Sequence, residues 1–433
     1  MENLTSNQAL MQPVVQFVSY DEANDVGGVS SWLRRTVPTL REQGIDARID
    51  FLCFGGQPGA NAAWCQKNGV PFRWSPWLYE TEPAVRQCLS WLRDALPQVY
   101  VPNCILPAYI AAAEARRCGV RTVGVLHSDD PFYWGIADEF VHGKKKWRLD
   151  ELVVVSGLLH RTLGLNTAPT LPVHEIPCGV PIPPESVAPP AQPFRIIYTG
   201  RLEEKQKRIS DLARAFCRVA REHPEIEAWI VGSGPEGEKI RNIIQAEGLE
   251  KRVILKGRVE PELINEVLKQ CHAFVLLSDY EGTPVSLLEG MAAGLVPICL
   301  ESCSGVAEVI QQRKNGILVQ DRENSFSEAV SFLIKNPGAW TAFSAAARQT
   351  IRERYSAEAC TGKWKALLVA DAPSVSIRRR PRLRLRLPPH NPKFGRFDQR
   401  KPGQLRRAWN RLRQLAGSGR RRAADFVRSI SHR

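Results

Sequence analysis

Nowhere in its 433 residues does this chain hold a run approaching ~18 consecutive apolar side chains, and its first ten residues are largely polar. The expectation is therefore a protein with neither a spanning helix nor a secretory leader, working in the cytoplasm. Paired cysteine motifs are also missing. The eleven cysteines are scattered from Cys53 to Cys360 without a Cys-x-x-Cys pair, which argues against a disulfide framework or a structural zinc site and for reduced thiols. Cys299 and Cys303, four residues apart, read as core packing rather than as metal ligands. Acidic residues are scarce in one place only: residues 371–433 contain 3 Asp and Glu against 19 Lys and Arg, a net charge of +16. The whole chain carries +14, so residues 1–370 carry −2. The basic character belongs to the tail, and a nucleic-acid-binding body is not expected.

What is present is alternation. With 43% apolar residues the chain can bury two cores. Short apolar runs at 13–20, 47–54, 98–102, 121–127 and 151–156 predict strands, separated by segments with helical spacing such as Val29, Leu33, Val37 and Leu40. Eight prolines between Pro172 and Pro193 predict an extended linker. The same grammar then resumes. Strands are predicted at 194–199, 226–231, 253–256, 273–278, 296–300 and 316–319, with helices at 209–221, 235–247, 261–270, 284–293 and 305–311. Strands this apolar point to parallel sheets covered on both faces, with ligands at their carboxyl ends. The expected division is residues 1–185, 186–356, a closing helix at 357–371 and a tail at 372–433.

Chemistry concentrates in the second half. Ser278 to Pro297 (SDYEGTPVSLLEGMAAGLVP) runs from a strand end through Glu281 and Gly282 into a helix starting near Thr283, Pro284 and Val285, with Glu289 about a turn inside. A helix start favours a diphosphate, and flanking carboxylates accept hydrogen bonds from sugar hydroxyls. Glutamates alone would equally read as a cap and a solvated charge; the surrounding glycines and Pro297 favour a site. Tyr198 to Arg208 (YTGRLEEKQKR) places Gly200, Arg201 and a lysine, Lys205 or Lys207, after another strand, where a phosphate would meet a guanidinium fork and a point charge. Val231–Pro235 (VGSGP) is a glycine turn containing Gly232, and Gly257-Arg258-Val259 follows the next strand. In the first half, Gly27-Gly28 opens a helix after the first strand, so its backbone can approach a phosphate. His127 ends another strand, and Asp129-Asp130 lacks the spacing of an Asp-x-Asp metal site.

These motifs resemble the retaining GT-B glycosyltransferases of family 4, the glycosyl transferases group 1, whose hallmark is two glutamates with seven residues between them. Glu281 and Glu289 match that spacing, with Gly282, Met291, Ala292, Gly294 and Pro297 in place; Thr283-Pro284 stands where the family commonly has Phe-Gly. The resemblance implies a GT-B fold, two doubly wound Rossmann-like α/β domains facing a central cleft, with the acceptor on the first and the nucleotide sugar on the second. It implies that Glu281 binds the donor sugar and Glu289 the ribose. Arg201 and Lys207 would neutralise the diphosphate, Arg258-Val259 would pack on the base, and His127 and Gly27-Gly28 would reach the donor from the opposite domain. The expected donor is a UDP- or GDP-sugar, with no cofactor and no metal, transferred with retention to a glycan or lipid-linked acceptor. A nucleotide-sugar epimerase, a phosphorylase or a non-catalytic binding protein shares this architecture. In the tail, Leu405, Trp409, Leu412 and Leu415 recur at helical spacing between arginines, a composition that predicts disorder in isolation and suits an anionic membrane surface on the inner face.

Overall fold

The computed structural model describes residues 13–23, 27–77, 80–166, 171–190, 192–302, 305–370, 380–383 and 387–399. Two parallel sheets carry the chain. The first holds β1 (Val14–Asp21), β2 (Asp46–Cys53), β3 (Phe72–Pro76), β4 (Val99–Pro102), β5 (Arg121–Leu126), β6 (Glu151–Val154) and β7 (Val173–Glu175), in the order β3-β2-β1-β4-β5-β6-β7. The second holds β8 (Phe194–Thr199), β9 (Ile226–Val231), β10 (Val253–Gly257), β11 (Ala273–Leu276), β12 (Val296–Leu300) and β13 (Ile317–Val319), in the order β10-β9-β8-β11-β12-β13. Central strands are buried on both faces, which is why they read as continuous apolar runs. These are the two Rossmann-like domains expected. In each sheet the strand order reverses once, between β1 and β4 and between β8 and β11, and loops at those reversals open a crevice.

Several elements depart from the sequence reading. β3 is short and half-exposed, without the apolar run that marks its neighbours. β7 lies inside the proline-rich stretch expected to be linker, because Val173–Glu175 falls between the prolines and pairs with β6. No helix forms at 305–311; Gly305, at φ +80°, starts a turn that packs on the loop before it. Residues 261–270 form one short 3-10 turn and a five-residue helix.

The chain also crosses back. One apolar core runs from Val180 to Tyr355, whereas Trp364, Leu367 and Leu368 of the closing helix Ala357–Val369 pack into the first domain's core with Phe17 and Trp32. The tail, expected to be unpacked from residue 372, is packed at 380–399 where it is described. Phe394 is fully buried against the first domain, and Leu383 and Leu387 pack against the same core, so an aromatic in an Arg/Pro-rich run found a socket. Leu405, Trp409, Leu412 and Leu415 lie outside the described residues. Trp364→Ala should lower stability by about 3–5 kcal/mol in urea denaturation; a loss within error would show the closing helix to be an appendage rather than core.

Candidate functional site

At the reversal of the second sheet, the loop after β8 meets the loop after β11. Gly232, at φ +145° just after β9, lets that turn close on the loop after β8: a Cβ there would sit 1.8 Å from the Gly200 carbonyl oxygen. Glu281 is 5% exposed and is gripped on both carboxylate oxygens, by Lys207 Nζ at 2.5 Å and by Gln206 Nε2 at 3.3 Å. Gln206 Nε2 also donates to the Tyr280 carbonyl at 2.9 Å. Arg201 completes the chain, donating to Gln206 Oε1 at 3.0 Å while more than half of its side chain faces solvent. A carboxylate held this far from water requires a cation, and Lys207 is that cation. Lys205 is exposed and joins no ion pair among the described residues, so the geometry separates the two lysines that the sequence left as alternatives.

The helix Val285–Ala293 starts at Pro284 with no side chain capping it, leaving its first amides available in the manner of any helix start. This end faces the first domain at close range. A Cβ on Gly28 would lie 3.2 Å from Val285 Cγ2, and one on Gly282 would lie 2.3 Å from the His127 carbonyl oxygen. Thr283 Oγ1 donates to the Val155 carbonyl, just past β6, at 2.6 Å. Its hydroxyl thus joins the two domains. One turn into the helix, Glu289 is ion-paired with Arg35 from the first domain's helix Gly28–Glu42. The other terminal nitrogen of Arg35 is buried without a hydrogen-bond partner.

His127 is placed at the cleft as expected, but in a dry socket. Its Nε2 is 2.7 Å from Asn103 Oδ1, its ring lies edge-on to Trp32 at 4.9 Å, and Asn103 is itself held by donating to Ser19 Oγ at 3.2 Å. Burial pushes its pKa down to about 3, so the ring is neutral and donates through Nε2. Asp129 accepts from Trp134 Nε1 at 2.7 Å and Asp130 caps the helix Pro131–Ile136, roles that occupy both carboxylates. Arg258 pairs with Glu260 at 3.3 Å, and Val259 packs on the second core; the Gly232 amide donates to the Gly257 carbonyl at 2.8 Å, laying this loop beside the glycine turn. Since β9 separates β10 from β8, Arg258 and Val259 lie apart from the Arg201–Glu281 chain.

Sequence reasoning missed Arg35, Gln206 and Asn103. Gln206 stood inside a quoted motif between two lysines and was passed over for lack of charge. Arg35 and Asn103 carry no local signal, since their partners lie 254 and 24 residues away.

Residues 183–350 match the sequence profile of the family Glycosyl transferases group 1. The lipopolysaccharide 1,6-galactosyltransferase of Escherichia coli K12 is 23% identical over 312 residues, spanning 68% of this chain and 81% of that one. Its Salmonella typhimurium counterpart is 36% identical over 137 residues, 30% of this chain and 37% of that one. Among solved structures, Anabaena HepE in complex with UDP superposes with a TM-score of 0.67 at 16% identity, covering 82% of this chain and 99% of that one. The fold is GT-B.

The buried histidines give these domains a signed pH response. His127, at about 3, and His272, pushed down to about 4 by its burial and by Arg195, are neutral when folded, and each takes up a proton near pH ~6.5 once unfolded. Their contribution to stability is complete above that value and is lost as pH falls toward 4 and then 3. Unfolding free energies from urea titrations should therefore drop between pH 7 and pH 5, by about 1 kcal/mol per pH unit per ring, and His127→Gln should make the drop shallower. A free energy that is level or rises over that interval contradicts the assignment.

Proposed function

Starting from a chain that is a glycosyltransferase, with a group 1 domain as its second half, we propose that it moves a hexose from a UDP- or GDP-sugar to a glycan or lipid-linked acceptor, retaining anomeric configuration, in polysaccharide or lipopolysaccharide assembly. The observation that carries this reading is the pairing of each cleft carboxylate with a cation, Glu281 with Lys207 and Glu289 with Arg35, beside an uncapped helix start. A donor offers both kinds of partner. Its hydroxyls satisfy carboxylates and its diphosphate satisfies cations, so binding exchanges internal ion pairs for contacts with ligand. The names of the galactosyltransferase relatives support the acceptor class, and the UDP and glucose in a HepE complex support the donor class.

Chemistry follows from where charge develops. As the anomeric C–O bond breaks, positive charge grows on the sugar and negative charge on the diphosphate. Lys207, Arg201 and the amides at Val285 would receive the negative charge, with Gly27 and Gly28 approaching from the opposite side without a Cβ in the way. The acceptor hydroxyl attacks the same face from which the diphosphate departs, and a leaving phosphate oxygen takes its proton. Glu281, beneath the positive sugar, stabilises the charge and orients the hydroxyls. Neutralisation by protein cations makes a divalent metal dispensable in this scheme.

Screening UDP-, GDP- and ADP-sugars by thermal shift should give a base-selective rise in melting temperature. With the donor so identified, Lys207→Ala and Glu281→Ala should each reduce turnover by about 10²–10³-fold, and each should also lower the melting temperature of the free protein, because it leaves one member of a buried ion pair without its partner. Turnover should also persist in excess EDTA. Turnover above half of the parent value in either variant, or its abolition by EDTA, would contradict the mechanism.

A further inference from the structure

The chain does not leave the body of the protein where its last helix ends. Ala357–Val369 finishes at the amino-terminal edge of the first sheet, away from the cleft, where Arg121 at the start of β5 holds the carbonyls of Leu367 and Ala370 at 2.8 and 2.5 Å. Residues 380–383 continue along that edge: Arg117 donates to the Arg380 carbonyl at 3.1 Å, and the Arg382 amide donates to Glu114 at 2.6 Å. The direction then changes. Phe394 inserts against the helix Pro131–Ile136, which follows β5 on the cleft side, with its ring 5.9 Å from Phe132 and close enough to Gly135 that a Cβ there would lie 2.9 Å from it. Lys393 pairs with Asp138 at 2.7 Å. Gln399 and Asp398 finally clasp Thr81, at 2.9 Å through the Thr81 amide and 3.2 Å through its hydroxyl.

Thr81 lies on the cleft edge. It begins the helix after β3, four residues past Trp77, whose ring stacks on Phe54 at 4.4 Å beyond the end of β2. Residues 380–383 and 387–399 therefore form a strap that carries the chain from the far edge of the acceptor-side domain to its cleft edge. What the strap delivers is 34 residues, 400–433, with 11 Lys and Arg against the single acid Asp425, and with Leu405, Trp409, Leu412 and Leu415 interleaved. Trp74, on the edge strand β3 next door, is 40% exposed. Arginine alone would suit any polyanion; leucine and tryptophan at helical spacing, beside an exposed tryptophan, suit the boundary of a bilayer.

We propose that the strap docks this arm on an anionic lipid surface with the cleft edge of the first domain facing the bilayer, so that the crevice opens toward a lipid-borne acceptor. The proposal rests on the reading of the first domain as the acceptor side, and its test does not require the acceptor.

Hydrogen exchange read by mass spectrometry would be compared for the full chain with vesicles of phosphatidylglycerol and phosphatidylcholine and with vesicles of phosphatidylcholine alone. Flotation is expected with the anionic vesicles only, with new protection at 54–59 and 74–81. A chain ending at Gln399 should not float. Phe394→Ala and Lys393→Glu, which loosen the strap without touching the arm, should float like the parent and lose at least half of the protection at 54–59 and 74–81. Equal flotation on neutral vesicles, preference for a competing single-stranded RNA, protection confined to the exposed lysines at 144–146, or undiminished protection in both strap variants would each overturn the proposal. The thermal shift with nucleotide sugars is measured on the same proteins. Its absence in the parent would count against the functional reading and leave the vesicle result standing on its own.

Discussion

Placing a carboxylate out of water is costly unless a cation comes with it, and that constraint organises the crevice. Glu281, 5% exposed, sits where two parallel sheets turn their carboxyl edges toward each other, and Lys207 and Gln206 are spent on it. Glu289 is met by Arg35 across the domain boundary. The site is thus loaded with charge already neutralised, in a form a nucleotide sugar can take over partner for partner. Removing one member of either pair leaves a buried charge uncompensated, so these residues are tied to folding as well as to binding.

Backbone proximity makes the arrangement possible. The second domain's loop presses on the first at Gly282 against the His127 carbonyl, and the Gly305 turn presses on Gly282 in its turn, at distances no side chain would permit. Thr283 adds a direct hydrogen bond to Val155. The Thr283-Pro284 pair thereby serves the interface through its threonine. The same loop therefore sets the closeness of the domains and carries Glu281, while the Arg35–Glu289 pair is the charged contact that spans the boundary.

The strands of both sheets were largely legible because they are buried on two faces and so read as unbroken apolar runs. β3 and β7 were not, one because it is a half-exposed edge strand and the other because prolines surround its three residues. Glu281 and Glu289 could be singled out because their spacing and the glycines around them resemble a family hallmark, and Gly200 and Gly232 because each follows a strand end at a turn. Arg35 and Gln206 could not: one pairs with a residue 254 positions away, and the other is an uncharged side chain whose role appears only when the β8 and β11 loops are adjacent. Lys205 and Lys207 could not be told apart in a basic run; in the fold only Lys207 meets Glu281, and Lys205 points to solvent. His127 was visible as a strand end, yet its neutrality comes from burial, to which Trp32 from a helix far back in the chain contributes, and nothing local in the sequence marks it. Phe394 was invisible in an arginine- and proline-rich segment, since nothing near it marks a socket.

The account's central claim is the exchange of internal ion pairs for donor contacts, and a crystal structure with a bound nucleotide sugar tests it most directly. It predicts the diphosphate within about 3 Å of the Lys207 ammonium and the helix start at Val285, the ribose hydroxyls on Glu289, and Arg35 turned away from that carboxylate. A nucleotide sugar bound elsewhere, with the Lys207–Glu281 and Arg35–Glu289 pairs intact, would contradict it.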